Sequence, residues 1–426
     1  MERRISGINI VHVVIVNDFA SVSGGAAQVA FAGARGLAER GHRVTFFAAV
    51  GPVDAALAKH TNITVHCLEQ EDILRDPQRM RALWRGIWNS KAGVVFDELL
   101  AEADPRETVV HVHGWSKALT ASIFPRPAKR GIPLVVTFHD FFCACPNGGF
   151  FDFPAEQICH RRPLGVACTF RQCDRRNYGH KLWRLVRQHV QRRWGQFPSS
   201  LRHAIVISDL SEKVLRPFLP AGVRIHRVRN PIDSPKQPAV NAPANRHFTF
   251  VGHFTNEKAP QHLAKAAAFL GVDARFVGDG ELRDEIASIC PKAQITGWQN
   301  AKQVQAHLQN ARALVFPSVW YETQGLVVGE AAAFGVPALV SHSSAAVEFV
   351  ADGETGLIFQ AGDMDDLQKK LRWMSDDSLV ARLGHAAYER HWANPPTNAR
   401  HAADLESVYT ELLENRMDKL SHKAKN

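Results

Sequence analysis

The run Ile8-Asn9-Ile10-Val11-His12-Val13-Val14-Ile15-Val16, with the loop Ser21-Val22-Ser23-Gly24-Gly25 behind it, decides the fold class. A short apolar run rich in β-branched residues predicts a parallel strand buried on both faces. A helical pattern carries on through Leu37-Ala38-Glu39, Gly41 marks its stop, and Val44-Thr45-Phe46-Phe47 is the next strand. This is a βαβ opening, with the first loop and the helix N-terminus on one edge of the sheet. Further strands are predicted at residues 109–113, 133–138 and 204–208. Three prolines fall within the nine residues from Pro235 to Pro243, a linker signature. The series then restarts with Phe248-Thr249-Phe250-Val251-Gly252 and Ala274-Arg275-Phe276-Val277-Gly278. Segments 294–296, 313–316 and 338–340 follow as strands among helical stretches. The reading is α/β, with two Rossmann-like, doubly wound domains facing across a cleft. The first spans residues 1–233, the linker 234–246 and the second 247–395. A helix and basic tail over 396–426 are expected to pack back on the first domain. No short-period repeat is visible, which excludes solenoids and propellers. Ligands in such sheets bind outside the carboxyl ends of the strands, so the chemistry is sought in the loops that follow them.

The 426 residues include 51 Lys+Arg against 42 Asp+Glu, with 45% hydrophobic and 22% charged side chains. That composition excludes disordered and collagen-like chains. No apolar run approaches the roughly 18–20 residues a spanning helix needs. Met1-Glu2-Arg3-Arg4 precedes a strand-like run with no small-residue cleavage site, so no secretory signal is read and a cytoplasmic location is expected. Residues 161–202 hold eleven Lys/Arg and one acid, Asp174, a balance of +10 against +9 for the whole chain. The molecule therefore has one basic face. Such a face concentrates membrane phosphate, nucleic acid or an acidic glycan without choosing among them.

The stretch from Pro317 to Pro337, PSVWYETQGLVVGEAAAFGVP, is the most informative chemically. A strand ends at Phe316, a turn carries Glu322, Gly325 admits a close ligand, and a helix follows from Leu326 to Phe334, capped by Gly335. A helix N-terminus with free amides suits a diphosphate. Glu322 and Glu330, eight positions apart, can reach different parts of one elongated polar ligand, and a carboxylate reads paired hydroxyls. On spacing alone, a solvated Glu330 and an ordinary turn at Gly325 fit equally well.

The wider pattern resembles the retaining glycosyltransferases of family 4, group 1 glycosyl transferases with the two-domain GT-B fold. Glu322 and Glu330 match their E-x7-E motif, followed by Ala331-Ala332-Ala333-Phe334-Gly335-Val336-Pro337. Val251-Gly252-His253-Phe254-Thr255-Asn256-Glu257-Lys258-Ala259 is similar to their G-R-x-x-x-E-K-G segment. Phe276-Val277-Gly278-Asp279-Gly280-Glu281 is similar to their G-D-G element, Asn230-Pro231-Ile232-Asp233 to their interdomain turn, and Gly24-Gly25 to their glycine loop. The likeness extends over most of the chain.

The resemblance implies a hexosyltransferase that uses a nucleotide-sugar and needs no cofactor or catalytic metal. Glu330 would hold the ribose and Glu322 the donor sugar. The backbone at Thr323, Gln324, Gly325 and Leu326 would cradle the diphosphate, and Lys258 would neutralise it in place of a metal. His139, in Thr137-Phe138-His139-Asp140, would sit near the anomeric carbon, while Gly24 and Gly25 would close over phosphates or acceptor. Retention would follow from front-face attack, with the leaving phosphate taking the acceptor's proton. The chain departs from the pattern at His253, where the family has Arg, at Ala259, where it has Gly, and at Gln324, where it has an aromatic residue. Histidine lacks the permanent charge and five-donor fork of arginine. The diphosphate grip is then weaker, pH-dependent or supplied by another residue.

An insert over residues 141–175 holds Cys143, Cys145, Cys159, Cys168 and Cys173, in a spacing that fits no standard zinc scheme. Zinc ligands, free thiols and a local disulfide all remain open. His139-Asp140-Phe141-Phe142 leading to Cys145-Pro146 resembles a subset of the family, where the insert is read as an acceptor-side lid. Over 178–197, Tyr178, Leu182, Leu185, Val186, Val190, Trp194 and Phe197 recur at helical steps among Lys181, Arg184, Arg187, Arg192 and Arg193. This reads as a helix packed on the first domain, or as an interfacial helix whose Trp183, Trp194 and arginines meet anionic lipid. His111 and His113 are candidate zinc ligands or satisfied strand-end histidines. The tail 419–426 is expected to fray.

Function therefore reads as a polysaccharide- or glycoconjugate-building transferase whose partners are a nucleotide-sugar donor and a glycan or lipid-linked acceptor, on the inner face of the membrane if peripheral. The alternative is a catalytically silent GT-B module that binds a glycan or a partner transferase. No nucleic-acid partner is expected, since the basic segment carries no recognised reading motif.

Overall fold

The computed structural model describes residues 10–425, with side chains through 414. Ile8, Asn9, the Met1–Arg4 segment and the side chains of the basic tail lie outside the described residues. The backbone of the last helix, Asn398–Lys425, is continuous to Lys425, where fraying was expected.

Fifteen strands are present among the described residues: β1 His12–Phe19, β2 Arg43–Val50, β3 Ile63–Cys67, β4 Thr108–Val112, β5 Leu134–Phe138, β6 Phe151–Asp152, β7 Gln157–Ile158, β8 His203–Val206, β9 Arg224–Arg227, β10 His247–Val251, β11 Ala274–Val277, β12 Gln294–Ile295, β13 Ala311–Phe316, β14 Ala338–Ser341 and β15 Gly356–Phe359. Seven form a parallel sheet in the order β3-β2-β1-β4-β5-β8-β9, and six form a second in the order β12-β11-β10-β13-β14-β15. Side-chain alternation splits the first sheet between two cores. Val14, Val16, Val110 and Val136 point to one face, and Val13, Ile15, Val109 and Val135 to the other. Helices must cover both faces, as the apolar runs require.

Among the described residues of the predicted run, Ile10 and Val11 precede β1, which begins at His12 where its pairing with Arg43 and Thr108 begins. β3, β9 and β15 were not anticipated. All three are outermost in their sheets, and β9 reads Arg-Ile-His-Arg. An edge strand needs no continuous apolar run, so that signal is missing in β9, whereas β15 reads Gly-Leu-Ile-Phe and was overlooked. Between β9 and β10, residues 228–241 form no regular element. The helix Asn398–Lys425 returns to the first sheet. It buries Leu405, Val408, Tyr409 and Leu412 against β1 and β4, and Ala402 approaches Gly36 so closely that a Cβ there would lie 2.8 Å away.

The helix expected over 178–197 ends sooner, spanning Tyr178–Arg193, and its buried face is not the apolar one. Lys181, Leu185, Arg187, Gln188 and Gln191 face inward, while Leu182, Val186 and Trp194 are exposed. The cause lies in what the helix covers. The insert beneath it has backbone carbonyls with no ladder partner, and a buried carbonyl must find a donor. Gln188 Nε2 donates to the carbonyls of Cys143 (3.1 Å) and Ala144 (3.4 Å). Arg187 reaches Ser116 O at 3.0 Å, and Gln191 reaches Phe142 O at 3.3 Å. Phe197 lies beyond the helix and stacks on Phe124, with ring centroids 3.8 Å apart.

Replacing Gln188 by Leu leaves the Ala144 carbonyl without its side-chain donor and Cys143 O with only Gln191 Nε2 at 3.4 Å. The expected loss is about 1–3 kcal/mol of unfolding free energy by chemical denaturation. An unchanged midpoint would show that the helix is held by apolar packing instead.

Candidate active site

The carboxyl ends of β10 and β13 in the second sheet carry the loops His253–Lys258 and Pro317–Gly325. Lys258 Nζ donates to Glu322 Oε2 at 3.0 Å, and Trp320 Nε1 donates to the same oxygen at 3.0 Å. Glu322 Oε1 has no protein partner among the described residues. Gly325 then opens the helix Leu326–Ala333 at φ 140°, and an added Cβ would meet Ala346 Cβ at 2.7 Å. Only glycine fits that position. The helix has no side-chain cap, so its N-terminus keeps donors for an outside acceptor.

Glu330 lies one turn further on, half-buried, with no hydrogen-bond partner. Burial pushes its carboxyl up to about 7. Glu330 is thus part-buried rather than fully solvated. Gln324 is buried, and its Oε1 finds no partner.

His139 approaches from the other half, at the end of β5. Thr323 Oγ1 donates to its carbonyl oxygen at 3.0 Å, across the cleft. His139 Nε2 meets His113 Nδ1 at 3.0 Å, and burial pulls the His139 imidazole down to about 3. It is neutral at physiological pH. His113, read as a strand-end residue, therefore orients His139. His111 is fully engaged, with Nδ1 on Tyr409 Oη (2.6 Å) and Nε2 on Thr137 Oγ1 (2.7 Å), so neither histidine offers a free zinc-ligand pair. Asp140, beside His139, is raised to about 6 by burial.

His253 is exposed, and its ring lies 5.2 Å from that of Trp298, whose indole is 70% exposed. Burial of the ring nitrogen, together with Lys258 and Arg175, pushes its pKa down, with Glu257 opposing. Arg175 from the insert pairs instead with Glu257 and lies 3.7 Å from Glu281, tying the insert to the second half. Gly24 and Gly25 open the helix Gly25–Glu39, also without a side-chain cap. A Cβ on either would meet nothing within 4 Å, so they border open space and do not touch the other candidates.

Sequence reasoning missed Asp18 and Trp298, and named His113 without its contact to His139. Asp18 accepts from the amides of Lys117, Ala118 and Leu119 at 2.8–2.9 Å and shapes the loop after β4. A single acid after an apolar strand gave no signal. His113 and Trp298 stood in plain view, but only the tertiary contacts give them partners.

The cysteines are all free thiols, so no local disulfide forms. Lys181 Nζ lies between Cys168 Sγ (3.4 Å) and Cys173 Sγ (3.2 Å). A buried ammonium in that place leaves no room for a metal cation between the two sulfurs. Among the described residues, the one group of three with metal-ligand spacing is His203, His226 and Glu411, at the outer edge of the first sheet and away from the cleft.

Residues 23–235 match the family profile Glycosyltransferase Family 4, and residues 234–390 match Glycosyl transferases group 1. The glycogen synthase of Mycobacterium tuberculosis is 28% identical over 277 residues, 61% of this chain and 64% of that protein, so the chain spans just under two thirds of that relative. A GDP-mannose-dependent alpha-mannosyltransferase of Corynebacterium glutamicum is 26% identical over 34% of this chain and 35% of its own. Among solved structures, the sucrose-phosphate synthase of Thermosynechococcus elongatus superposes with a TM-score of 0.68 at 18% identity, covering 95% of this chain and 99% of that one. Anabaena HepE, solved in complex with UDP and glucose, gives 0.63 at 14% identity over 94% and 100%. The fold is GT-B.

A nucleotide held by Glu330 is expected to bind in a pH-dependent way. Ribose hydroxyls would donate to its ionised form, so the expected affinity is full well above pH 7 and is lost as the pH falls through about 7. Calorimetric titration with UDP and GDP should show roughly tenfold weaker binding at pH 6 than at pH 8, and Glu330→Gln should remove the slope. Stronger binding at pH 6 would mean that protonation of His253, not ionisation of Glu330, governs the site.

Proposed function

The chain belongs to glycosyltransferase family 4, and from that premise we propose that it moves a sugar from a nucleotide-sugar to a glycan or lipid-linked glycan acceptor, in the synthesis of a polysaccharide or glycoconjugate. The observation that carries this reading is the Lys258–Glu322 pair at 3.0 Å, set just before an uncapped helix N-terminus and facing His139. A donor diphosphate placed at the amides of Gly325 and Leu326 meets the helix dipole and the Lys258 ammonium together. Lys258 then exchanges a carboxylate partner for a phosphate, so it needs no new desolvation. Glu322 is freed toward the sugar hydroxyls, and Glu330 takes the ribose. The exposed face of Trp298 is placed to stack on the base.

Transfer proceeds without a divalent metal and with retention. The bond from the anomeric carbon to the diphosphate oxygen breaks, and the acceptor oxygen bonds to the same face. The acceptor's proton passes to the departing phosphate oxygen. A neutral His139 supports this route, because it cannot donate a proton to the leaving group and instead offers a polar edge beside the reacting carbon. Its ring is held in place by His113, whose Nδ1 lies 3.0 Å from His139 Nε2.

The reading extends to a peripheral position at an anionic membrane. Leu182, Val186 and Trp194 are exposed, and the neighbouring helix Arg79–Ile87 adds Met80, Leu83 and Trp84, joined to the first through Trp183 Nε1 and Leu83 O at 3.0 Å. Apolar anchors within a segment of balance +10 suit such a surface. No helix among the described residues is long and apolar enough to cross a membrane.

With the donor that binds, Lys258→Ala and Glu330→Gln should each cut turnover about 100-fold or more in EDTA, with unchanged thermal unfolding, and proton NMR should find the donor's anomeric configuration in the product. Full turnover by both variants, or an inverted product, would overturn the assignment. Co-sedimentation with vesicles containing anionic lipid should fall at least severalfold in Leu182→Glu/Trp194→Glu, whereas equal pelleting would remove the membrane face.

A further inference from the structure

The first half contributes a second recess to the cleft, a chamber of about 1020 Å³ bounded by the insert, the end of the Tyr178–Arg193 helix, the helix Asp209–Leu215 and Tyr321. Four cationic side chains line it: Arg161, Arg162, Arg192 and Lys213. No carboxylate is among its lining residues. Arg161 is partly occupied, since Asp152 Oδ2 lies 3.1 Å from its Nη1. Arg162, Arg192 and Lys213 have no ion-pair or side-chain hydrogen-bond partner among the described residues. Burial and the like charge of Arg162 pull Arg192 below its ordinary value. Cations gathered this way repel one another, and an arriving anion relieves them.

The other wall is aromatic and leads to the chemistry. Tyr321 adjoins Glu322, and its ring centroid is 6.3 Å from that of Phe141, two residues after His139. Phe141 meets Phe150 at 5.7 Å, and Phe150 meets Phe218 at 5.4 Å. Phe150, Phe218 and Tyr321 all line the chamber. One continuous ring-to-ring wall thus runs from beside the reacting groups into a pocket with excess positive charge. Donor binding does not account for these cations, because the donor diphosphate belongs to Lys258 and the Gly325 amides on other loops. Holding the insert in place does not account for them either, because that role falls to Arg161–Asp152 and Arg175–Glu257.

We propose that this chamber is the acceptor's anion subsite, in which Arg162, Arg192 and Lys213 bind a phosphate or diphosphate group while the aromatic wall takes the apolar or sugar portion beside it. The inference rests on the transferase reading and names the substrate class that reading leaves open. Arginine forks match phosphate oxygens bidentately, which a lone lysine does not. The phosphate could belong to a lipid-linked acceptor or to a soluble sugar phosphate.

Three probes separate these cases: farnesyl diphosphate, inorganic diphosphate and farnesol. Each is titrated calorimetrically into the full chain already saturated with the nucleoside diphosphate that it binds, so that the donor site is closed. Farnesyl diphosphate should bind wild type saturably, and Arg162→Ala/Arg192→Ala should weaken it at least tenfold. Affinity for the nucleoside diphosphate should stay within twofold, which also shows that the variant is folded. Lys213→Ala, an exposed single change, should weaken the probe severalfold. Equal affinity for inorganic diphosphate supports the site with a soluble acceptor, and preference for farnesyl diphosphate supports it with a lipid-linked one. No probe binding, equal binding by the variants, or farnesol matching farnesyl diphosphate overturns the inference. Loss of nucleoside diphosphate binding by wild type would instead overturn the transferase reading, so the two failures are distinct.

Discussion

Thr323 donates a hydrogen bond to the carbonyl of His139 at 3.0 Å, and the cleft depends on that contact. It joins the turn that holds Glu322 to the strand end that presents His139, two segments 184 positions apart. The halves could be held together elsewhere and still fail to align these groups. Two further links fix the approach: Glu348 accepts from the Asp209 amide at 2.8 Å, and Arg175 reaches from the insert to Glu257. The returning C-terminal helix serves the same end from behind. Its Tyr409 holds His111, and His113, two residues on, holds His139. Tyr409 thus bears on the placement of the His139 ring at the cleft, through packed elements.

The architecture was legible because buried parallel strands leave a strong mark. β1, β2, β4, β5 and β13 are apolar runs, and the Pro-rich break before β10 separates two such series. The edge strand β12 was legible, but β9 was not, since it has nothing apolar to repeat. Glu322, Lys258 and Gly325 could be found because they match the family's motifs; spacing alone left Gly325 and Glu330 open. Burial could not be read in the same way. The rise of Glu330 to about 7 and the fall of His139 to about 3 come from surrounding atoms, not from neighbours in sequence. The Tyr178–Arg193 helix is the instructive failure. Its periodicity suggested an apolar face turned inward, but the loop beneath it needed donors, so glutamine and arginine went in and tryptophan stayed out.

The basic segment resolves into separate tasks once its partners are known. Arg161 and Arg171 neutralise Asp152, Arg184 neutralises Asp174, and Arg175 spans the cleft. Those charges are structural. Lys181 is buried between Cys168 and Cys173, and Arg187 is buried on the Ser116 carbonyl, whereas Arg162 and Arg192 line the chamber beside Tyr321. A net charge read from sequence measures the sum of such tasks, whereas function depends on the cations left unpaired.

The central claim is that the Lys258–Glu322 pair, the uncapped helix N-terminus and Glu330 together hold a nucleotide-sugar without a metal. Calorimetric titration of UDP-, GDP- and ADP-sugars into the protein in EDTA at pH 8 tests it most directly. Saturable one-to-one binding of one donor, lost in Glu330→Gln, is the predicted result. A folded protein that binds none of them between pH 6 and pH 8 would contradict it.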